Sequence, residues 1–158
     1  MSRSQKQINK QVKDWLWRYR EAKIAIRRLE GEYEELVSIQ ESAGSIKYDD
    51  MPHGSSSNPD LSNLIIVRDQ SMTKLIKAKS RAVTAYSEIM NAIEQLDKDV
   101  EKEIISLRYV QLHDNLDINS MNDIANIIKY SPDFVKRSHG IALTKLGRIV
   151  FPSEKWAL

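Results

Sequence analysis

Apolar residues recur through the first forty positions at alternating steps of four and three: Ile8, Val12, Trp15, Tyr19, Ala22, Ile26, Leu29, Tyr33 and Leu36. That rhythm is a heptad seam of about four heptads, and it predicts a long amphipathic helix whose stripe must pack on another helix. Gly31 is the weak point inside it, costing about 1 kcal/mol relative to alanine. The rhythm stops at Glu41-Ser-Ala-Gly-Ser, and a turn-rich loop is expected over about residues 42–60, with Met51, Pro52, His53 and Gly54 at its centre. Asn58-Pro-Asp60 then launches a second helix with a seam through Leu61, Ile65, Met72, Leu75, Ala82, Tyr86, Ile89, Ile93, Leu96 and Val100, weakened where it passes Arg68 and Lys79. Two helices of matched length, each on the order of 50 Å, joined by one long connector favour a long antiparallel helical hairpin, a coiled-coil arm. Self-association through the same seams is the competing arrangement.

The pattern changes after residue 96. Asp97-Lys-Asp-Val-Glu opens a shorter helix carrying Ile104, Ile105, Leu107 and Tyr109, and a polar loop from Gln111 to Asn119 follows. Ser120-Met-Asn-Asp-Ile-Ala and Ser131-Pro-Asp-Phe-Val-Lys-Arg each read as a helix start, with serine at the N-cap and an aspartate close behind. Pro132 falls where a first-turn proline is tolerated. Only Lys129 and Tyr130 separate the first of these helices from the cap of the second, so the turn between them is tight. The chain is thus expected to be all-α, with an arm over residues 1–96 and a helix-turn-helix head over residues 97–158.

Charge sharpens this picture. The net charge of +2 conceals nine Lys/Arg against Asp14 and Glu21 in residues 1–28 and Lys47 against eight acids in residues 29–60. Residues 121–158 return to six basic against three acidic side chains. Two basic ends therefore flank an acidic and neutral middle, and a polyanion would meet the ends first. There is no cysteine, which excludes disulfides and thiolate zinc sites and suits a reducing, cytoplasmic compartment. No apolar run reaches the roughly 20 residues that a bilayer span requires, so no membrane is expected as a partner.

The stretch Ile104-Ile-Ser-Leu-Arg-Tyr109, then Ser120 to Ala125, then Tyr130 to Arg137, then Ala142-Leu-Thr-Lys-Leu146, resembles region four of bacterial sigma factors. The full layout is similar to the ArpU/RinA group of phage-encoded late transcription regulators, including the Tyr48-Asp-Asp-Met-Pro-His-Gly-Ser loop. The resemblance implies a phage or prophage late-gene activator in a bacterial host cell, binding double-stranded DNA and in contact with RNA polymerase. Pro132 departs from the sigma pattern, where an arginine often reads a base at this place.

In a helix-turn-helix the N-terminal turns of the second helix enter the major groove. With Ile124, Ile128, Tyr130, Val135, Ala142, Leu143 and Leu146 turned inward, Asp133, Phe134, Lys136 and Arg137 fall on those turns. Lys136 and Arg137 suit guanine O6/N7, Asp133 suits cytosine N4, and Phe134 a thymine methyl. Ser120 and Ser131 open helices whose positive dipole ends favour phosphate. Lys129, His139, Lys145 and Arg148 are expected to add sequence-independent attraction.

Each of these residues also has a plainer explanation. A Lys-Arg pair in isolation is an ordinary solvated helix face, and the capped bihelical setting is what raises it above that. Trp15, Tyr19 and Tyr33 are packing residues, and Trp17, off the seam, suits partial burial against a neighbouring helix better than a contact to nucleic acid or polymerase. His53 with Asp49 and Asp50 offers no fixed metal geometry. His113-Asp114 has neither nucleophile nor third group, and no phosphate-cradling glycine loop is present, so neither an enzyme nor a cofactor is expected. The rival functions are a small-terminase-like packaging protein, which joins a helix-turn-helix to oligomerising helices, and a structural coiled-coil interaction protein whose arm does the work; a homo-oligomer through the arm is the further partner expected.

Overall fold

The computed structural model describes residues 4–46 and 57–152, and these residues form an all-helical chain: α1 (Gln5–Ile46), α2 (Ser57–Glu94), α3 (Asp99–Tyr109), α4 (Met121–Ile128) and α5 (Pro132–Val150). The two long helices run further into the expected loop than the sequence rhythm does. α1 continues through Gly44 to Ile46, and α2 already begins at Ser57, with Pro59 in its first turn, where its missing N–H is not required. Once a long helix is nucleated, a residue of poor propensity costs only about 1 kcal/mol, so Gly44 does not end it. The Met51–Gly54 segment lies outside the described residues. Among the described residues no helix is long and apolar enough to cross a membrane.

Contacts divide the chain into two compact units, one formed by residues 1–21 and 81–158 and the other by residues 22–80. The division falls inside α1 and α2, each of which contributes to both units, and not at the expected boundary near residue 96.

In the unit of residues 22–80, Leu29 packs on Leu75 and Ala78, with Ala25, Ile26 and Met72 at the margin. Between the two helices, Arg68 Nη1 donates to Gln40 Oε1 at 2.7 Å, and Lys79 Nζ lies 3.7 Å from Glu30 Oε1. Burial along α2 shows a seam through Ser71, Leu75, Ala78, Ala82, Ala85, Ile89 and Ala92, continued by Leu96 just past its end. It keeps the four–three rhythm, but Ser71, Ala78 and Ala85 stand one residue ahead of the expected Met72, Lys79 and Tyr86, while Ala92 is buried together with the expected Ile93. Small side chains allow two helix axes to approach closely, which leaves Lys79 and Tyr86 to solvent; Tyr86 is 45% exposed and Ile65 38%.

The other unit holds two apolar clusters. The larger joins Ile8, Val12 and Leu16 of α1, Ala85, Ile89, Ala92 and Ile93 of α2, Ile105 and Tyr109 of α3, and Ala142, Leu143 and Leu146 of α5. The smaller joins Ile104 and Leu107 of α3, Ile124 and Ala125 of α4, and Val135 of α5. Adjacent residues Ile104 and Ile105 thus enter different clusters, which makes α3 the central helix of this unit. Leu16, absent from the expected seam, is fully buried because the first turns of α1 meet more than one helix. Trp17 takes the packing role, with its ring centroid 4.4 Å from that of Tyr109.

Buried polar groups join the remaining pieces. Asn119, 4% exposed, donates from Nδ2 to the carbonyls of Leu107 (2.8 Å) and Gln111 (3.2 Å). Arg108 Nη1 donates to the Asn119 carbonyl at 2.6 Å. The loop bends at Leu116, which is buried at φ 67°, and Arg20 Nε donates to its carbonyl at 2.8 Å. A non-glycine residue in this left-handed region costs on the order of 1 kcal/mol, which the surrounding contacts offset.

Candidate nucleic-acid interface

The α4–α5 segment is built by its caps. Ser120 Oγ accepts from the Asp123 N–H, and Asp123 Oδ2 accepts from the Ser120 N–H, both at 3.0 Å. This reciprocal capping box satisfies two backbone donors that a helix start would otherwise leave open. These hydrogen bonds hold the Asp123 carboxyl below the usual aspartate range. Lys129 closes α4 in the left-handed region, at φ 64° and ψ 40°, and its N–H donates to the Ala125 carbonyl. Two residues later Ser131 Oγ accepts from the Phe134 N–H at 3.2 Å and Pro132 occupies the first turn of α5.

Around this turn Lys129, Ser131, Asp133, Lys136 and Arg137 are all exposed. Arg148 is exposed on the same face of α5, three turns on, about 16 Å from Arg137 by helical rise. Ser120 is exposed at the start of α4, with its hydroxyl engaged in its own cap. Val135, Ala142, Leu143 and Leu146 are buried with Ile124 and Ala125, as the inward assignment requires.

Four assignments change. Tyr130, expected inside, is 50% exposed, and Phe134, expected on the surface, is partly covered. The two rings stack, with centroids 4.6 Å apart and planes 20° from parallel; the left-handed turn at Lys129 swings Tyr130 out onto the first turn of α5. His139, expected as a surface cation, is 8% exposed, and its Nε2 lies 2.8 Å from the Tyr109 hydroxyl. Burial first, then the charges of Lys13 and Arg108, lower its pKa to about 4, so the ring is neutral near pH 7. Burial likewise raises Tyr109 to about 12. Lys145, also expected to attract phosphate, donates at 2.8 Å to Asp97 Oδ1 and at 2.8 and 2.9 Å to the two oxygens of Glu101. Glu101 is 2% exposed, so this ammonium compensates a buried carboxylate. Hydrogen bonds to Asp97 and Glu101 raise the Lys145 pKa, and the same bond lowers that of Asp97.

Residue spacing placed no α1 side chain beside α5, yet Lys6, Lys10 and Lys13 line a groove against it. The accumulation of basic residues in positions 1–28 was the available signal, but spacing within α1 could not tell which helix those lysines would face. Among the described residues no group of three His, Asp or Glu side chains could hold a metal ion; His53, Asp49 and Asp50 lie outside the described residues. Comparison with family models, with curated proteins and with solved structures finds no match for this chain.

Proposed function

We propose that this chain is a sequence-specific double-stranded-DNA-binding transcription regulator. In this reading α4 and α5 form a helix-turn-helix head, and α1 and α2 form an antiparallel hairpin arm. One observation carries the reading: a short turn between two serine-capped helices presents Lys136, Arg137 and Asp133 to solvent on the first turns of the second helix. Those are the turns that such a motif lays in the major groove. The ArpU/RinA-like layout makes late-gene activation in a phage or prophage the proposed role, with RNA polymerase as the second partner.

The reading is tested by selecting bound duplexes from a randomised library and repeating the selection with Arg137→Ala. A guanine contact is worth about 1–3 kcal/mol of discrimination, so the variant should lose preference at one or two positions of the site while keeping its fold. Wild-type protein that enriches no sequence and shows no salt-dependent DNA affinity removes the reading.

The exposed apolar residues Ile65, Ile76 and Val83 on α2 favour self-association, which keeps a packaging or scaffolding protein as the second reading. Light scattering separates them: a ring supports packaging, whereas a monomer or dimer protecting one short site supports regulation.

A further inference from the structure

Beside α5 the start of α1 leaves an open groove of about 720 Å³, with Lys6, Lys10 and Lys13 on one wall and His139, Gly140 and Leu143 on the other. The lysines follow each other at steps of four and three, so they form one stripe along α1. Among the described residues none of the three is held in a salt bridge, and no carboxylate lines the groove. Gly140, half-buried, stands four residues after Lys136 and three after Arg137, one turn further along α5. The groove that the α1 stripe lines therefore reaches, at Gly140, the helix turn that follows the proposed reading edge.

We infer that this groove seats the sugar-phosphate backbone of the duplex, with Lys6, Lys10 and Lys13 as phosphate contacts flanking the base-reading turns of α5. The inference rests on the DNA-binding reading above and adds to it a second, sequence-independent element drawn from the opposite end of the chain. The dimensions suit that occupant. The stripe is about 10 Å long, and one DNA strand places a phosphate about every 3.4 Å along the axis, so about three phosphates face three lysines. Gly140 contributes by what it lacks, because a side chain there would project into open space in the groove.

The test measures the affinity of full-length protein for a mixed-sequence duplex of about 30 base pairs at ionic strengths from about 50 to 200 mM. Two variants are compared with wild type: the triple Lys6→Gln, Lys10→Gln, Lys13→Gln, and Gly140→Glu, which adds a carboxylate at the groove wall from a Cβ that meets nothing within 4 Å. Lys74→Gln with Lys77→Gln and Arg81→Gln, on exposed positions of α2, removes the same number of positive charges elsewhere and controls for net charge. The triple variant should bind at least about tenfold more weakly at low salt, with a salt slope shallower by about 2 to 3, since each phosphate contact contributes about 0.9. Gly140→Glu should also weaken binding, and sequence preference should survive in both. If wild type binds DNA while both groove variants retain its affinity and slope, the groove assignment is wrong and the α5 reading stands. If wild type binds no duplex at any ionic strength, the DNA-binding reading fails and this inference fails with it.

Discussion

At the scale of single residues, His139 has the clearest consequence. In the unfolded chain an imidazole titrates near 6.5, but the buried ring in contact with the Tyr109 hydroxyl titrates at about 4. Between those values the unfolded chain takes up a proton that the folded chain refuses, so lowering the pH favours unfolding. The contribution of neutral His139 is fully present above about pH 6.5 and is lost as the pH falls towards 4; the whole difference is worth about 3 kcal/mol. Denaturant midpoints measured from pH 7.5 to 4.5 should fall accordingly, and His139→Gln should flatten that slope. An unchanged slope in the variant would assign the acid sensitivity elsewhere. Asp97 and Asp123, whose pKa values are lowered by their hydrogen bonds, act in a different window. Their stabilisation is present above the unfolded aspartate pKa near 3.9 and disappears only at lower pH. Lys145 shows why a basic residue cannot be assigned to an interface from its charge alone. Replacing it by methionine should lower the melting temperature by stranding the Glu101 carboxylate, and adding Glu101→Leu should recover part of the loss.

Helix by helix, stability depends on caps and breakers whose effects are separable. Ser131→Ala removes the acceptor of the Phe134 N–H and should cost about 1 kcal/mol, read as a lower denaturant midpoint with an unchanged slope. Gly31→Ala should act in the opposite direction by up to about 1 kcal/mol, because Gly31 lies inside α1 and a methyl group there meets nothing within 4 Å. A loss of stability in Gly31→Ala would mean that this face of α1 is covered in the working protein. These are also the features that were legible in the sequence. A serine cap with a following aspartate is a local hydrogen-bond device, complete within four residues, so both Ser120 and Ser131 could be read without tertiary information. The seam of α2 was legible only in part. Leu75, Ala82, Ile89, Ile93 and Leu96 are buried where the apolar rhythm puts them, but Ala78 and Ala85 take the places expected of Lys79 and Tyr86, and Ala92 is buried beside Ile93. A rhythm traced through bulky residues passes over alanines, although close helix contact selects them. For the candidate interface, Lys136 and Arg137 could be placed from the phase of α5 alone. The burial of His139 could not, because it depends on Tyr109, thirty residues away, and on the start of α1.

At the scale of the molecule, residues 97–158, read from the sequence as a compact head, share a core with both long helices. Ile105, Tyr109, Ala142, Leu143 and Leu146 share one cluster with Ile8, Val12 and Leu16 from one long helix and Ile89 and Ile93 from the other. Cut at residue 96, the fragment keeps the small cluster of Ile104, Leu107, Ile124, Ala125 and Val135 and only the α3 and α5 residues of the larger one. A chain of about 60 residues with so little core has at most about 3–5 kcal/mol to offset its conformational entropy, and this one would expose the apolar faces of α3 and α5 that pack with α1 and α2. The isolated fragment 97–158 should therefore show weakened helical circular dichroism and no cooperative thermal transition, whereas the full chain melts cooperatively. Within the full chain, Ile89→Ala should cost about 2–5 kcal/mol, although it lies outside the three short helices. A sigmoidal melt with dispersed amide resonances from the fragment would mean that the α1 and α2 residues merely cover a head that folds without them. Loss of the transition would mean that any DNA-reading edge on α5 is held in place by both ends of the chain. In that case, deletions in α1 would abolish binding through the fold, and only substitutions that leave Ile8, Val12 and Leu16 intact can report on the lysines beside them.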